Sequence, residues 1–120
     1  MIAEDDPIVV VLVTAPSLEV ARQIAHILLE KRVIACANLI PAVQSLYRWE
    51  GQIQDDQEIL MIMKSRQGLL HSHIIPLVRQ IHPYQLPEII SLPVTDGYAP
   101  YLEWIRDETE GNTENFGKED

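Results

Sequence analysis

Apolar residues occur along this chain in two patterns, continuous runs typical of buried strands and stripes at helical spacing. Residues 8–13 form an almost continuous β-branched run, which predicts a central strand covered on both faces. Ser17 then provides an N-cap, Glu19 lies in the first turn, and apolar residues recur at helical spacing until Lys31-Arg32. The sequence therefore predicts a strand followed by an amphipathic helix.

The next segment predicts a long β-hairpin. Residues 33–49 have a strand pattern that Pro41 interrupts, because proline lacks the N–H that a sheet ladder needs. Glu50-Gly51 predicts a tight turn, after which residues 52–64 return as a second strand. Strands of this length overhang the rest of a small sheet, so we expect the exposed arm to be an edge that pairs with a partner.

A second helix and a last strand complete the pattern. The helical stripe covers residues 69–81 and contains Pro76, which predicts a kink rather than a break. The helix is expected to end at His82, because a residue before proline disfavours the helical conformation. Residues 86–94 then predict the last full strand, and residues 101–106 predict a short helical segment.

The resulting order, βαββαβ, predicts an α+β fold of the ferredoxin-like type, in which helices cover one face of an antiparallel sheet. With 120 residues, the chain is expected to form one domain. We place this domain at residues 7–107. Residues 1–6 and 108–120 are acidic and unpatterned, and they are predicted to be flexible tails.

The net charge of −9 is concentrated at the two ends of the chain. Residues 7–106 hold nine acidic and eight basic side chains, so the predicted domain is almost neutral. The lack of a basic stripe argues against nucleic acid as a partner, and no apolar run is long enough to span a membrane. A single cysteine excludes an internal disulfide, and the acidic first residues differ from a basic targeting segment, which favours a cytoplasmic location.

Few residues indicate chemistry directly. Cys36 lies in an apolar strand pattern, where packing is a commoner role than metal ligation. The histidines lack the H-x-x-x-H spacing of a helical metal site, and His82 is best placed to interact with carbonyls at a helix C-terminus. Four acidic residues near the hairpin turn fit either a hard divalent cation or an ordinary solvated hairpin: Glu50, Asp55, Asp56 and Glu58. The chain contains no nucleophile elbow, dinucleotide fingerprint, phosphate-binding loop or CxxC pair, so an enzyme is the least favoured class.

Five short motifs also occur in a fixed order along residues 8–106. They are VTAP at 13–16, EKRVIACANLIP at 30–41, SLYRWEG at 45–51, HPY at 82–84 with PE at 87–88, and YLEW at 101–104. This set of motifs resembles the CutA divalent-cation tolerance family. The resemblance implies ferredoxin-like subunits in a homotrimer similar to the PII signalling proteins, and an involvement with copper and other divalent cations.

The resemblance also implies a cleft between subunits. The positions of this chain that would contribute to it are Trp49, Lys64, His82, Tyr84 and Glu88. No position of the chain is implied to be catalytic.

The copper-binding pattern of the family is incomplete in this chain. Relatives that have the pattern carry a cysteine where this chain has Val13 and a second histidine where it has Ile81. His82 is what remains of that set, and Cys36 is a further candidate ligand. Because copper prefers several nitrogen or sulfur donors, we expect Cu²⁺ or another divalent cation to bind weakly and not to be required for folding.

Two functions therefore follow from the sequence. The first is a non-enzymatic homotrimer linked to divalent metal ion tolerance, with copper as the main candidate ion. The alternative is a PII-like sensor or scaffold that binds a small molecule in the clefts between subunits and acts through a protein partner.

Overall fold

The computed structural model describes residues 6–111, and in this range four strands and three α-helices follow one another along the chain. Their bounds are β1 Ile8–Ala15, α1 Leu18–Glu30, β2 Cys36–Trp49, β3 Gln52–Arg66, α2 Ile75–Ile81, β4 Ile89–Pro93 and α3 Ala99–Glu108. The strands form one sheet in the order β2-β3-β1-β4, and every neighbouring pair is antiparallel. Each crossover through a helix skips one strand, so the predicted ferredoxin-like fold is confirmed.

The core lies between one face of the sheet and helices α1 and α2. Alternation along β1 sends Val9, Val11 and Val13 to this face, where β3 contributes Met61 and Met63. These five side chains have at most 1% of their surface exposed. The helix residues in the same cluster are Ala21, Ile24, Ala25, Leu28, Leu77 and Val78. The predicted covering of one sheet face by helices is therefore present.

The β2–β3 hairpin is longer than the rest of the sheet, as predicted. β1 pairs only with residues 59–66 of β3, so residues 52–58 and their partners on β2 project beyond it. The turn at the tip contains Glu50 and Gly51, whose φ angles of 52° and 79° fit a two-residue type I′ turn. We call residues 43–49 and 52–58 the hairpin arm.

An irregularity in β2 marks the base of the hairpin arm. The pairing register shifts between Ile40 and Val43, and Ala42 has a left-handed φ of 61°. Pro41 lies inside this bulge, where its missing N–H removes no regular ladder bond. The break expected at Pro41 is thus a bulge that separates the arm from the body of the sheet.

Several predicted elements have different bounds in the structure, among them β4, which spans Ile89–Pro93 and not residues 86–94, and α3, which is longer than the predicted 101–106. β2 begins at Cys36 rather than at residue 33, because the Val33 N–H donates to Leu28 O (2.9 Å) at the end of α1. The helix expected over residues 69–81 is helical throughout this range, but a 3₁₀ turn at Gln67–Leu69 and a π segment at Leu70–Ile74 precede α2 in place of regular α-helix. Pro76 lies in the first turn of α2, directly after the π segment, so the expected distortion at this proline is the change from π to α geometry.

The second face of the sheet, which we call the open face, carries apolar side chains that one chain covers only in part. Helix α3 covers one end of it, with Ile105 packed against Ile8 and Ala35. Beyond α3, the apolar residues on this face include Val10, Leu12, Ile40, Ile62, Ile90 and Leu92. Ile90 and Leu92 are each 49% exposed. A contiguous apolar surface of this kind is typical of an interaction surface.

Two residues outside the predicted limits of the domain, Asp6 and Thr109, contact it in the structure. Thr109 is fully buried after α3, and the Arg66 guanidinium donates to its backbone carbonyl at 2.7 Å. Asp6 forms an ion pair with the same guanidinium. The rest of the two predicted tails, residues 1–5 and 112–120, lies outside the described residues. None of the helices within the described range is long and apolar enough to cross a membrane.

Candidate functional site

An open groove of about 820 Å³ lies between the hairpin arm and the segment 83–88 that follows α2. Thr14, at the end of β1, forms part of its floor. The arm contributes Gln44, Ser45, Leu46, Tyr47, Arg48, Trp49, Asp56 and Glu58, and the segment contributes Pro83, Tyr84, Gln85, Leu86 and Glu88. A concave space of this size falls in the range of small-molecule sites.

His82 fixes the segment that forms one wall of the groove. It ends α2, it is 6% exposed, and its ring Nε2 lies 2.7 Å from the Thr14 carbonyl oxygen. Because a carbonyl only accepts, Nε2 carries the proton, and Nδ1 accepts the backbone N–H of Tyr84 at 3.2 Å. The imidazole is therefore neutral in this arrangement, and both of its nitrogens are used within the chain.

Tyr84 extends from this anchored segment towards the hairpin arm. Its ring centroid lies 4.7 Å from that of His82, and its hydroxyl donates to Glu58 Oε2 at 3.0 Å. Burial, followed by the bond to Glu58, raises the pKa of Tyr84 to about 12. The phenol therefore keeps its proton at neutral pH and remains a hydrogen-bond donor. Glu58 itself is only 5% exposed.

A second phenol–carboxylate pair lies next to the first. The Tyr47 hydroxyl donates to Asp56 Oδ2 across the hairpin arm. This bond is the main cause of the raised pKa of Tyr47, and the Glu58 charge raises it further. Tyr47 and Asp56 are diagonal neighbours, because Asp56 pairs with Ser45 two positions earlier in β2.

Three of the five cleft residues expected from the sequence line this groove: Trp49, Tyr84 and Glu88. His82 contacts it through Tyr84, as described. The sequence analysis did not assign Tyr47 to the site, and it treated Asp56 and Glu58 only as general hairpin acids. The signal that could have found them is the strand alternation, since residues 43, 45, 47 and 49 share a face with 52, 54, 56 and 58 once the turn is placed.

Lys64 and Cys36 lie at the opposite end of the sheet from His82. Lys64 pairs with Cys36 on one side and with Val10 on the other, whereas Thr14 pairs with Leu60. Four residues along a strand correspond to roughly 13 Å. One chain therefore does not bring Lys64 or Cys36 together with the groove.

The surroundings of Cys36 are formed by α3 and by neighbouring strand residues. Its thiol lies 3.8 Å from the Tyr101 hydroxyl and 3.9 Å from Asn38 Oδ1. Lys64 Nζ donates to the same Asn38 oxygen. Burial is the main cause of the raised pKa of Tyr101, and the contact with Cys36 adds to it. No other cysteine or histidine is part of this cluster.

No group of three His, Cys, Asp or Glu side chains suited to hold a metal ion occurs in the part of the chain that the structure describes. The two positions at which the resemblance led us to look for further copper ligands, Val13 and Ile81, are both apolar. Val13 is fully buried in the core, and Ile81 packs against that core from the end of α2. Residues 6–111 of one chain therefore do not bring together the ligands expected of a copper site.

The fold agrees with that of similar proteins of known structure. The family described as CutA1 divalent ion tolerance protein matches residues 9–108. The chain belongs to this family.

Individual relatives cover most of the chain. Protein CutA of Homo sapiens is 43% identical over 87% of this chain, which spans 58% of that protein's length. The divalent-cation tolerance protein CutA of Thermus thermophilus is also 43% identical, over 83% of this chain and 96% of its own length. The crystal structure of CutA1 from Oryza sativa superposes with a TM-score of 0.83 at 38% identity, covering 88% of this chain and 95% of that chain.

The names of the relatives refer to different cellular compartments. One from Arabidopsis thaliana is called chloroplastic, and a structure from Archaeoglobus fulgidus is called a periplasmic divalent cation tolerance protein. The family name by itself therefore does not assign a compartment.

Proposed function

We propose that the protein is a non-enzymatic homotrimer that contributes to tolerance of divalent metal ions. The observation that carries the assembly is the hairpin arm, since residues 52–58 of β3 have a strand partner on one side only. An unpaired edge of this length favours pairing with a second chain. The half-covered open face supports the same assembly, and the family match supports the link to divalent ions.

The ligand site in this proposal is the groove, closed by a neighbouring subunit to form the inter-subunit cleft. Trp49, His82, Tyr84 and Glu88 contribute from one chain, because they lie in or beside the groove. Lys64 joins the cleft only through another subunit, since it lies at the far end of its own sheet. The same holds for Cys36 as a candidate metal ligand.

Copper binding is expected to be weak because the remaining donor is already engaged. Cu²⁺ can coordinate His82 only if Nδ1 gives up the Tyr84 N–H or Nε2 gives up the Thr14 carbonyl. Copper prefers several nitrogen or sulfur donors, and His82 belongs to no group of three His, Cys, Asp or Glu side chains suited to a metal ion within the described residues. The cation is therefore a weakly held ligand and not a structural ion.

Calorimetric titration of Cu²⁺ into the wild-type protein is expected to give a dissociation constant no tighter than about 1 μM. His82→Gln, which keeps an amide in place of the ring, is expected to weaken that affinity about tenfold. His26→Gln, on the exposed side of α1, is the matched control and should leave it unchanged. A nanomolar site that survives His82→Gln would contradict the assignment and would direct attention to Cys36.

The alternative of a PII-like sensor or scaffold is favoured by the shape of the groove. A space of about 820 Å³ with aromatic side chains in its walls is larger than a metal ion requires and suits a small organic ligand. In this alternative, ligand binding changes the surface of the trimer that a protein partner contacts.

We propose that the protein is located in the cytoplasm.

A further inference from the structure

We propose that the groove binds a small organic cation carrying an ammonium or guanidinium group. This inference rests on the groove being the ligand cleft, and it names the class of molecule that the cleft accepts. It follows from the charge of the lining, from the engagement of its carboxylates and from its aromatic walls.

The lining of the groove has an excess of negative charge. Asp56, Glu58 and Glu88 are its three acidic residues, and Arg48 is its one basic residue. Arg48 forms no ion pair with any of the three within residues 6–111. The part of the groove that one chain forms is therefore acidic, and the excess of carboxylates remains when Lys64 of another subunit is added to the cleft. Such a concave surface concentrates cations and repels anions.

Glu58 is the carboxylate for which a positively charged partner matters most, because the residue is almost entirely buried. The residue is 5% exposed, and the only side-chain hydrogen bond of its carboxylate within the described part of the chain comes from the Tyr84 hydroxyl. A buried carboxylate without a cationic partner is unfavourable, and a bound cation would relieve that cost. Glu88 makes no hydrogen bond to the described residues, so its carboxylate is available to the same ligand.

The aromatic side chains supply a second feature that favours an organic cation. Tyr47, Trp49 and Tyr84 line the same groove, and Tyr47 and Trp49 are 40% and 38% exposed. Faces of tyrosine and tryptophan attract ammonium and guanidinium groups, most strongly where water is excluded. An anionic metabolite would gain nothing from these rings and would be repelled by the carboxylates.

The same geometry fits an inorganic divalent ion less well. One oxygen of Glu58 and one of Asp56 already accept hydrogen bonds from tyrosine hydroxyls, and no three suitable ligands converge within the described residues. A hard divalent cation requires about six oxygens at fixed distances. An ammonium or guanidinium group needs only a few hydrogen bonds to the remaining lone pairs, and its carbon skeleton can pack on the rings.

The test uses the fluorescence of Trp49 in the full-length protein. Trp104→Phe removes the other tryptophan, which stacks on Tyr101 in α3 outside the groove, so that Trp49 alone reports. Agmatine and tetraethylammonium are the cationic probes, and adipate is the anionic control. The expected result is a saturable change with both cations at a dissociation constant below about 1 mM, and no saturable change with adipate.

Glu→Gln variants inside and outside the groove test whether the fluorescence change reports binding in the groove. Glu58→Gln keeps an oxygen that accepts from Tyr84 but removes the charge, and it is expected to weaken agmatine binding about tenfold or more. Glu88→Gln, whose carboxylate has no hydrogen bond to lose, should weaken binding in the same direction even if Glu58→Gln folds poorly. Glu103→Gln removes one charge from the exposed side of α3, outside the groove, and should leave the affinity unchanged.

Three results would overturn the proposal: no saturable response to either cation, an equal response to adipate, or equal losses in Glu88→Gln and Glu103→Gln. Sedimentation and Cu²⁺ titration of the same sample distinguish a failure of the organic-cation proposal from a failure of the proposed trimer and its link to divalent ions. A trimer that binds Cu²⁺ but no organic cation would reject only the ligand class. A monomer that still binds agmatine would reject only the assembly.

Discussion

Replacing Arg66 by alanine is expected to lower the free energy of unfolding by about 2–3 kcal/mol, because several charge-assisted bonds are lost together. The guanidinium donates from Nε to Thr109 Oγ1 at 2.9 Å and from Nη2 to the Thr109 carbonyl at 2.7 Å. It also pairs with Asp6, whose carboxylate accepts the Gly68 N–H at 2.6 Å. Arg66 thus joins the end of β3 to both ends of the domain. Chemical denaturation at one fixed protein concentration measures the loss.

Two further variants show whether the geometry of these bonds matters. Arg66→Lys keeps the charge but lacks the planar fork, so it should recover only part of the stability. Arg79→Ala removes an exposed arginine from α2 and should change stability by no more than about 0.5 kcal/mol. If Arg66→Ala were as mild as Arg79→Ala, the contacts with Asp6 and Thr109 would not stabilise the domain.

The second large effect concerns the hairpin arm. Leu46 and Ile53 are 66% and 72% exposed and share one face of the arm, because Leu46 pairs with Asp55 and Arg48 pairs with Ile53. Placing glutamate at both positions should prevent an apolar contact with a neighbouring chain. We expect the double variant Leu46→Glu/Ile53→Glu to sediment as one chain at micromolar concentration, with its secondary structure retained.

The control for this variant adds charge to the same face without removing an apolar side chain. Gln57 is exposed and pairs with Gln44 on that face of the arm, so Gln57→Glu should leave the assembly intact. Loss of the assembly in Gln57→Glu as well would indicate a general charge effect. An unchanged assembly in the double variant would place the subunit contact elsewhere, with the open face as the next surface to alter.

The fold could be predicted from the sequence because each element has a strong local signal. The β-branched run of β1, the Ser17 cap and the Glu50-Gly51 turn depend on residues a few positions apart, and all are present in the structure. The ends of the domain could not be predicted in this way. Asp6 and Thr109 are polar residues near the termini, and what orders them is Arg66, far away in the sequence.

The candidate site, like the fold, could be predicted from the sequence only where its residues lie close together along the chain. His82 and Tyr84 lie in one short motif, and their mutual contact follows from a helix end and a proline. The pairing of Tyr84 with Glu58 depends instead on how the segment after α2 lies against the hairpin arm. Neither hydrophobic periodicity nor spacing contains that information, so the acidic and aromatic character of the groove became visible only in three dimensions.

The most direct test of the proposed trimer is the mass of the wild-type protein in solution. Sedimentation equilibrium at micromolar concentration should give three chains of 13.7 kDa each, about 41 kDa in all. The mass should not depend on added Cu²⁺, because in the proposed trimer the contacts come from the arm and the open face and not from a metal ion. A mass equal to one chain would contradict the assembly and, with it, the cleft between subunits.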